Sequence, residues 1–170
     1  MQEPSSIALH SEWTTVAIES NRVELKLNQE SSQKALFAKH TFLPNECIVV
    51  IGASVIYESP SYLTIQIGDA QHIAVKPEYL QFLNHSCNPN CFPDFEKGEL
   101  IALKKIETGE ELRYFYPSTE WSMDRPFLCN CESDHCLSMI NGAKYLPMET
   151  LSKFQISSYI LTKKSESANF

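Results

Sequence analysis

Several features are missing from this sequence, and each absence excludes a class of protein. Basic residues are in the minority, 14 against 21 acidic ones in 170 residues, so the formal net charge is -7. A chain that wraps nucleic acid or lies on an anionic membrane needs a basic surface, and we expect neither partner. No segment contains the roughly 18 consecutive apolar residues of a membrane span. We therefore expect no membrane-crossing helix.

A secretory signal is also missing. Residues 1–13 have neither the basic n-region nor the apolar h-region of such a signal, so we expect an intracellular protein. Its six cysteines are then expected to be reduced, metal-bound or catalytic rather than disulfide-linked. The sequence has no repeat and no low-complexity segment. With 43% hydrophobic residues, it predicts one domain with a proper core.

Most of the chain predicts short strands. Alternating apolar and polar residues, or runs rich in Val and Ile, predict strands at 14–28 (with a turn near Asn21), 47–53, 64–67, 72–75, 99–105 and 111–116, and residues 35–38 form a further apolar run. Pro147 opens the one predicted helix, at 147–163, and a flexible tail is predicted at 164–170. The pattern is typical of a mainly β fold with little helix.

The most unusual stretch is 83–91, Leu-Asn-His-Ser-Cys-Asn-Pro-Asn-Cys. Pro89 removes a backbone donor and steers Asn88 away from the helical region, so an ordinary strand or helix is excluded here. Its amide, imidazole and thiol side chains are hydrogen-bonding groups and metal ligands rather than core residues. We expect part of a functional site here.

A second cluster, Cys129-x-Cys131-x4-Cys136, offers three thiolates within eight residues. A structural zinc ion needs four ligands, and the candidates for the fourth are Cys87, Cys91 and then His135. The alternative is a set of buried free thiols or a disulfide. We favour zinc, because clustered thiols in polar surroundings make a poor core. The metal would fasten the C-terminal loop to segment 83–91.

Aromatic residues gather at the end of the last predicted strand, in Tyr114-Phe115-Tyr116-Pro117. A strand places Tyr114 and Tyr116 on one face. Two phenols beside a polar stretch would line a channel suited to a lysine or another amine. The alternative is that these aromatics are only core. Glu110 and Glu111 are interpreted as solvated turn residues.

Three motifs, in order along the chain, resemble those of SET-domain protein lysine methyltransferases. The first is Asn84-His-Ser-Cys-x-Pro-Asn90, and the second is segment 100–116, in which Gly-Glu-Glu-Leu precedes Tyr116. The third is the spacing of Cys129, Cys131 and Cys136, which is similar to a post-SET zinc loop. The resemblance covers residues 20–146. Segments 115–123 and 141–147 further resemble small stand-alone SET proteins.

The resemblance implies a fold and a set of roles. The fold is a β-clip-like arrangement of several small sheets with a pseudoknot, a SET domain at 1–128 and a zinc-stapled post-SET loop at 129–146. The substrate would be a lysine of a protein or peptide, and a basic partner would suit the acidic chain. The implied residues are Tyr116 and Tyr114 for catalysis; Asn84, His85, Lys34, Ala35 and Phe82 for S-adenosylmethionine; and Cys87, Cys129, Cys131 and Cys136 for zinc.

The sequence departs from the family pattern at three places. Gln33-Lys34-Ala35 stands where the family carries Gly-x-Gly, Phe115 where it carries Asp, and Gln81 where it carries Arg. Two hypotheses follow. The chain is a lysine methyltransferase, or it is a SET-like module whose cofactor pocket is lost or repurposed for binding a partner or acting on a small molecule.

Overall fold

The computed structural model describes residues 13–18, 20–61 and 63–167, and small β-sheets make up most of them. In the first sheet, β1 (Trp13–Ile18), β2 (Val23–Asn28) and β3 (Lys34–Ala38) are antiparallel neighbours. A second sheet has the order β4-β10-β9, from Cys47–Val50, Glu99–Ala102 and Cys91–Asp94. A third has the order β5-β7-β6, from Gly52–Tyr57, Gln71–Lys76 and Ile65–Gly68.

Two further sheets contain only two-residue strands. Strand β8 (Asn84–His85) pairs in parallel with β11 (Arg113–Tyr114), and β12 (Phe127–Leu128) pairs antiparallel with β13 (Met139–Ile140). Short 3₁₀ turns lie at Glu78–Phe82, Tyr116–Ser118 and Ala143–Tyr145. The parallel pair brings segment 83–91 against the aromatic segment 114–116.

The main core lies between the three larger sheets. Apolar side chains that sequence alternation assigns to the inner face, such as Val23 and Leu25 of β2, are buried there. The largest fully buried members of this core are Leu36, Phe42, Ile48, Ile73, Leu80, Leu100, Ile106 and Leu112. This core fixes the backbone on which segment 83–91 lies.

The strand predictions are confirmed in place but not in every boundary. The predicted strand at 47–53 is two strands, and the one at 99–105 ends at Ala102. The predicted strand at 111–116 is paired only at Arg113–Tyr114, and a 3₁₀ turn begins at Tyr116. The observed strand ends are determined by tertiary contacts, which the hydrophobic pattern of the sequence does not encode.

A C-terminal helix is confirmed, but the predicted bounds 147–163 are wrong. The structure has α1 (Met148–Leu151) and α2 (Ser158–Ser167), separated by a short irregular segment. The chain leaves α1 because Phe154 stacks on Phe115, with ring centroids 3.8 Å apart and planes 9° apart, and because Ser157 N donates to Ser118 O at 2.9 Å. The predicted flexible tail from 164 is helical as far as Ser167, and residues 168–170 lie outside the described chain.

The C-terminal segment forms a second small core over this stack. Phe115, Ala143, Leu151 and Ile160 are buried in it. Ala143 N donates to Glu120 O at 2.8 Å, which ties this segment to the loop after Tyr116. Gly142 has φ +113°, and a Cβ there would lie 2.5 Å from Trp121 O, so only glycine fits. In the described part of the chain, no helix is long and apolar enough to cross a membrane.

Replacing the buried Phe115 tests how much this second core contributes. We expect Phe115→Ala to lower the free energy of unfolding by about 3–5 kcal/mol, because it leaves a cavity and removes the stack. Urea denaturation of Phe115→Ala, Phe154→Ala and the double variant should show losses that do not add. The exposed Tyr145 serves as the aromatic control, with a loss below about 0.5 kcal/mol in Tyr145→Ala. Strictly additive losses would contradict the stack.

Candidate active site and metal centre

Tyr116 is held at the site by two hydrogen bonds to segment 83–91. Its hydroxyl donates to Leu83 O at 2.8 Å, and its backbone N–H donates to His85 Nδ1 at 3.2 Å. Because the hydroxyl proton is engaged, the phenol oxygen offers lone pairs to an approaching group. The Tyr114 ring lies 4.7 Å from that of Tyr116, tilted by 41°. Burial raises the pKa of both phenols, which therefore remain neutral.

Beside the two phenols lies a cavity of about 250 Å³, here called the tyrosine cavity. Its inner wall contains Leu83, Tyr114, Tyr116, Glu120 and Phe127, and the exposed Asp124 and Arg125 stand at its rim. The structure thus places both sequence-predicted tyrosines on one cavity, although Tyr116 is in a turn and not a strand. The cavity combines aromatic rings, phenol oxygens and a buried carboxyl group.

Glu120 is the carboxyl group of this cavity and is only 7% exposed. Its Oε1 accepts Gln66 N at 2.8 Å, and the Gln66 side-chain oxygen accepts Trp121 N at 2.9 Å. These two hydrogen bonds hold Glu120 against β6. Burial raises the pKa of the Glu120 carboxyl to about 7, although the Gln66 hydrogen bond opposes the shift.

His85 connects the tyrosine cavity to the cysteines. Its Nδ1 accepts the Tyr116 backbone N–H, so in the neutral ring Nε2 carries the proton. That nitrogen lies 3.3 Å from Cys87 Sγ, in range for an N–H···S hydrogen bond. Burial lowers the pKa of His85 to about 4, which keeps the ring neutral at physiological pH.

Four thiols converge on the other side of His85. The sulfur atoms of Cys87, Cys129, Cys131 and Cys136, here called the cysteine cluster, all lie within 4.8 Å of one another. Tetrahedral zinc–thiolate bonds of about 2.3 Å place the sulfurs roughly 3.8 Å apart, so the four fit one zinc ion. Cys91 is elsewhere, in the core, where its thiol donates to Arg113 O at 3.3 Å. His135 is exposed and outside the cluster.

Backbone donors support negative charge on this cluster. Leu137 N lies 3.4 Å from Cys87 Sγ, and Cys87 N lies 3.5 Å from Cys131 Sγ. Burial raises the pKa of Cys131, but backbone N–H groups and the neighbouring thiols outweigh it, and the pKa is about 6. Burial raises the pKa of Cys87 and brings that of Cys129 to about 11. A metal ion would be needed to hold all four as thiolates.

The residues predicted to bind S-adenosylmethionine, apart from His85, meet at the start of β3. His85 instead contacts Tyr116 and Cys87. Asn84 Nδ2 donates to Lys34 O at 3.2 Å, and the Lys34 ammonium lies 5.0 Å from the centroid of the Phe82 ring. Ala35 is fully buried, so its methyl adds no bulk at this surface. Lys34 is an exposed cation that suits the cofactor's carboxylate. The residues present therefore fit the cofactor despite the missing glycines.

The interpretation of Glu110 and Glu111 as solvated turn residues is corrected by their contacts, first those of Glu111. Its side chain is only 9% exposed, accepts Asn84 Nδ2 at 2.9 Å and pairs with Arg113. Glu110 also makes a specific contact, because its Oε1 accepts Asn90 Nδ2 at 3.1 Å. Both carboxylates therefore orient segment 83–91.

Sequence reasoning missed Glu120 and its partner Gln66. The available signal was one acidic residue in the otherwise uncharged run Phe115-Tyr-Pro-Ser-Thr-Glu-Trp121. The sequence contains no such signal for Gln66, because Gln66 lies 54 residues earlier and contacts Glu120 through its backbone N–H. The Phe115 departure is explained by its stack on Phe154 rather than by any role in the tyrosine cavity.

Comparison with known families agrees with this geometry. The model of the SET domain matches residues 18–117, which is more than half of the chain. The chain therefore belongs to the SET-domain family.

Particular relatives are methyltransferases by name. The chain is 33% identical over 102 residues to Methyltransferase flvH of Aspergillus flavus, an alignment that covers 59% of this chain and 57% of that one. It is 40% identical over 75 residues to Probable histone-lysine N-methyltransferase set-23 of Caenorhabditis briggsae, covering 40% and 29% of the two chains. It is 37% identical over 73 residues to the H3 lysine-36 specific enzyme of Gibberella zeae, covering 39% and 8%. The chain thus spans between about a twelfth and just over half of these relatives.

The titration of Glu120 gives a test of the cavity. Because its pKa is raised from 4.5 to about 7, the folded chain binds more protons than the unfolded one between those pH values. The stability that depends on Glu120 therefore falls as pH rises across this interval. From pH 4.5 to 8, Glu120→Gln should gain on the order of 3 kcal/mol relative to wild type, as measured by urea denaturation. The exposed Glu149→Gln should show no such trend, and a pH-independent difference for Glu120→Gln would contradict the burial.

Proposed function

We propose that this chain transfers a methyl group from S-adenosylmethionine to a lysine amine of a protein substrate. The observation that carries the proposal is the placement of Tyr116 at the tyrosine cavity, with its hydroxyl proton given to Leu83 O. A phenol oxygen in that state can accept an N–H of an amine and so orient the nitrogen lone pair. SET-family membership supports methyl transfer in general.

The protein substrate is supported by the names of relatives. Several are histone-lysine methyltransferases, and one is named only as a methyltransferase. The net charge of -7 suits a basic partner. Lysine fits the cavity because its long apolar stem can lie between aromatic rings while its amine reaches the phenol oxygens.

The cofactor supplies an electrophilic methyl group when bound. Lys34 would pair with its carboxylate, Asn84, His85 and Phe82 would lie around it, and the buried Ala35 would contribute its backbone rather than its methyl. Asn84 is adjacent to Leu83, which holds Tyr116, so the cofactor residues and the amine site are joined by one short segment.

The cysteine cluster has a structural role in this proposal. A zinc ion held by its four thiolates would fix Cys87 and, through His85 Nε2, the ring that accepts the Tyr116 N–H. The loop 129–136 has little other means of attachment, since its nearest paired strands contain two residues each. Metal binding would therefore supply much of the folding free energy of that loop.

Removing one hydroxyl tests the role of Tyr116. We expect Tyr116→Phe to lower kcat by about 100-fold, because the amine loses its oriented acceptor, while cofactor affinity is retained. Transfer of labelled methyl from S-adenosylmethionine to histone peptides, with calorimetry for the cofactor, measures both. Tyr145→Phe, at an exposed phenol, is the matched control. If wild type neither binds the cofactor nor methylates any lysine peptide, the proposed function is wrong.

Metal analysis tests the cysteine cluster. We expect one zinc per chain by plasma mass spectrometry, lost in Cys131→Ser with a fall in Tm. Cys91→Ala should keep its zinc, although it destabilises the core. A chain that loses zinc in Cys91→Ala and keeps it in Cys131→Ser would contradict the ligand set.

A further inference from the structure

The tyrosine cavity contains a charged group whose presence the tyrosines alone do not explain. Glu120 is buried on its inner wall beside Tyr114 and Tyr116, whose pKa values are raised first by burial and further by the charge of Glu120. Its carboxylate is therefore located where the amine of a substrate would arrive.

The position of the Glu120 side chain is fixed. Its backbone N–H donates to Tyr116 O at 3.0 Å, and its carboxylate accepts Gln66 N. Gln66 in turn donates from Nε2 to Gly68 O and to Tyr159 Oη, each at 3.0 Å. A side chain tied at both ends cannot swing out to water, so its carboxylate remains at the cavity.

The charge of Glu120 has no counterion among the described residues. Arg125, at the rim, is 3.6 Å from Asp124, and no described lysine or arginine forms an ion pair with Glu120. Burying a carboxylate without a cation is costly, and a glutamine would satisfy Gln66 N equally well. A purely structural role therefore explains the hydrogen bond but not why an acidic residue makes it, which points to a cationic ligand.

The rest of the cavity suits a primary ammonium. The ammonium group carries three N–H donors, and the cavity offers acceptors in the Tyr116 oxygen and the Glu120 carboxylate. The faces of Tyr114 and Tyr116 add cation–π attraction. Larger or planar cations would match these few convergent acceptors less well.

We propose that Glu120 recognises the substrate: its carboxylate binds the protonated primary amine that enters the tyrosine cavity and takes up one of its protons. In that step an N–H bond of the ammonium breaks, an O–H bond forms on Glu120, and the nitrogen lone pair is freed. Two buried charges become two neutral groups, which a low-dielectric cavity favours. The proposal rests on the proposed function only for the identity of the amine as lysine.

The other titratable groups around Glu120 are three phenols, one histidine and two charged side chains at the rim. Burial raises the pKa of the three neighbouring phenols and lowers that of the histidine paired with Gln66, and Asp124 and Arg125 are exposed at the rim. Those neighbours are Tyr114, Tyr116, Tyr159 and His72.

Binding of n-butylamine, a mimic of the lysine side chain, tests the proposal without any methyl transfer. At pH 8 we expect wild type to bind it, and Glu120→Gln to raise the Kd about tenfold or more, as followed by NMR titration. n-Butanol, which has the same chain without the charge, should bind both proteins equally. Glu149→Gln, with the same charge change at an exposed site, should leave the Kd unchanged. Equal n-butylamine binding by wild type and Glu120→Gln would overturn the proposal.

Two further measurements distinguish failure of the Glu120 proposal from failure of the proposed function. In wild type, n-butylamine binding should weaken about tenfold from pH 8 to pH 6, as Glu120 takes up a proton, and this arm remains informative if Glu120→Gln does not fold. Glu120→Asp, which keeps the charge, should bind the amine better than Glu120→Gln. If wild type methylates a lysine peptide and Glu120→Gln does so with unchanged kcat/KM, the Glu120 proposal fails while the proposed function stands. If n-butylamine binds as expected and no methylation occurs, the Glu120 proposal stands while the proposed function fails.

Discussion

The site depends on a parallel pairing between β8 and β11 that is only two residues long. So short a pair cannot hold by its ladder alone, and additional hydrogen bonds surround it. Ser86 N and Asn90 N donate to Tyr114 O and Arg113 O, each at 3.0 Å, and Asn90 Oδ1 accepts Arg113 N at 2.9 Å. The unusual polarity of segment 83–91 therefore has a structural role: nearly every polar side chain in it satisfies a neighbouring backbone or carboxyl group.

This pairing also explains why one histidine can serve two parts of the molecule. His85 is in β8, so its ring is fixed between the backbone of Tyr116 on one side and the sulfur of Cys87 on the other. A displacement of the cysteine cluster would therefore move the acceptor of the Tyr116 N–H. Two sites that are distant in sequence are mechanically coupled through a single imidazole ring.

Much of this arrangement could be predicted from the sequence, because local chemistry determines it. Cys spacing, the Asn-His run and strand alternation all express short-range rules, and the four thiols indeed lie together. The bounds 147–163 of the predicted helix and the solvated Glu111 were wrong for a common reason. Helix propensity could not foresee that Phe154 would stack on Phe115, and turn propensity could not foresee that Glu111 would bind Asn84. The role of Glu120 was missed because it depends on the burial of the side chain, which no local sequence pattern expresses.

The Phe115–Phe154 stack has a consequence for how this family diversifies. The resemblance to SET methyltransferases predicts an aspartate between the two tyrosines, and this chain has an aromatic ring there, covered by the segment between α1 and α2. An aspartate at position 115 could not be buried under that segment without a partner. The residues at positions 115 and 154 should therefore covary among related chains. The residue that precedes Tyr116 should then indicate whether the segment between α1 and α2 packs over it as it does here.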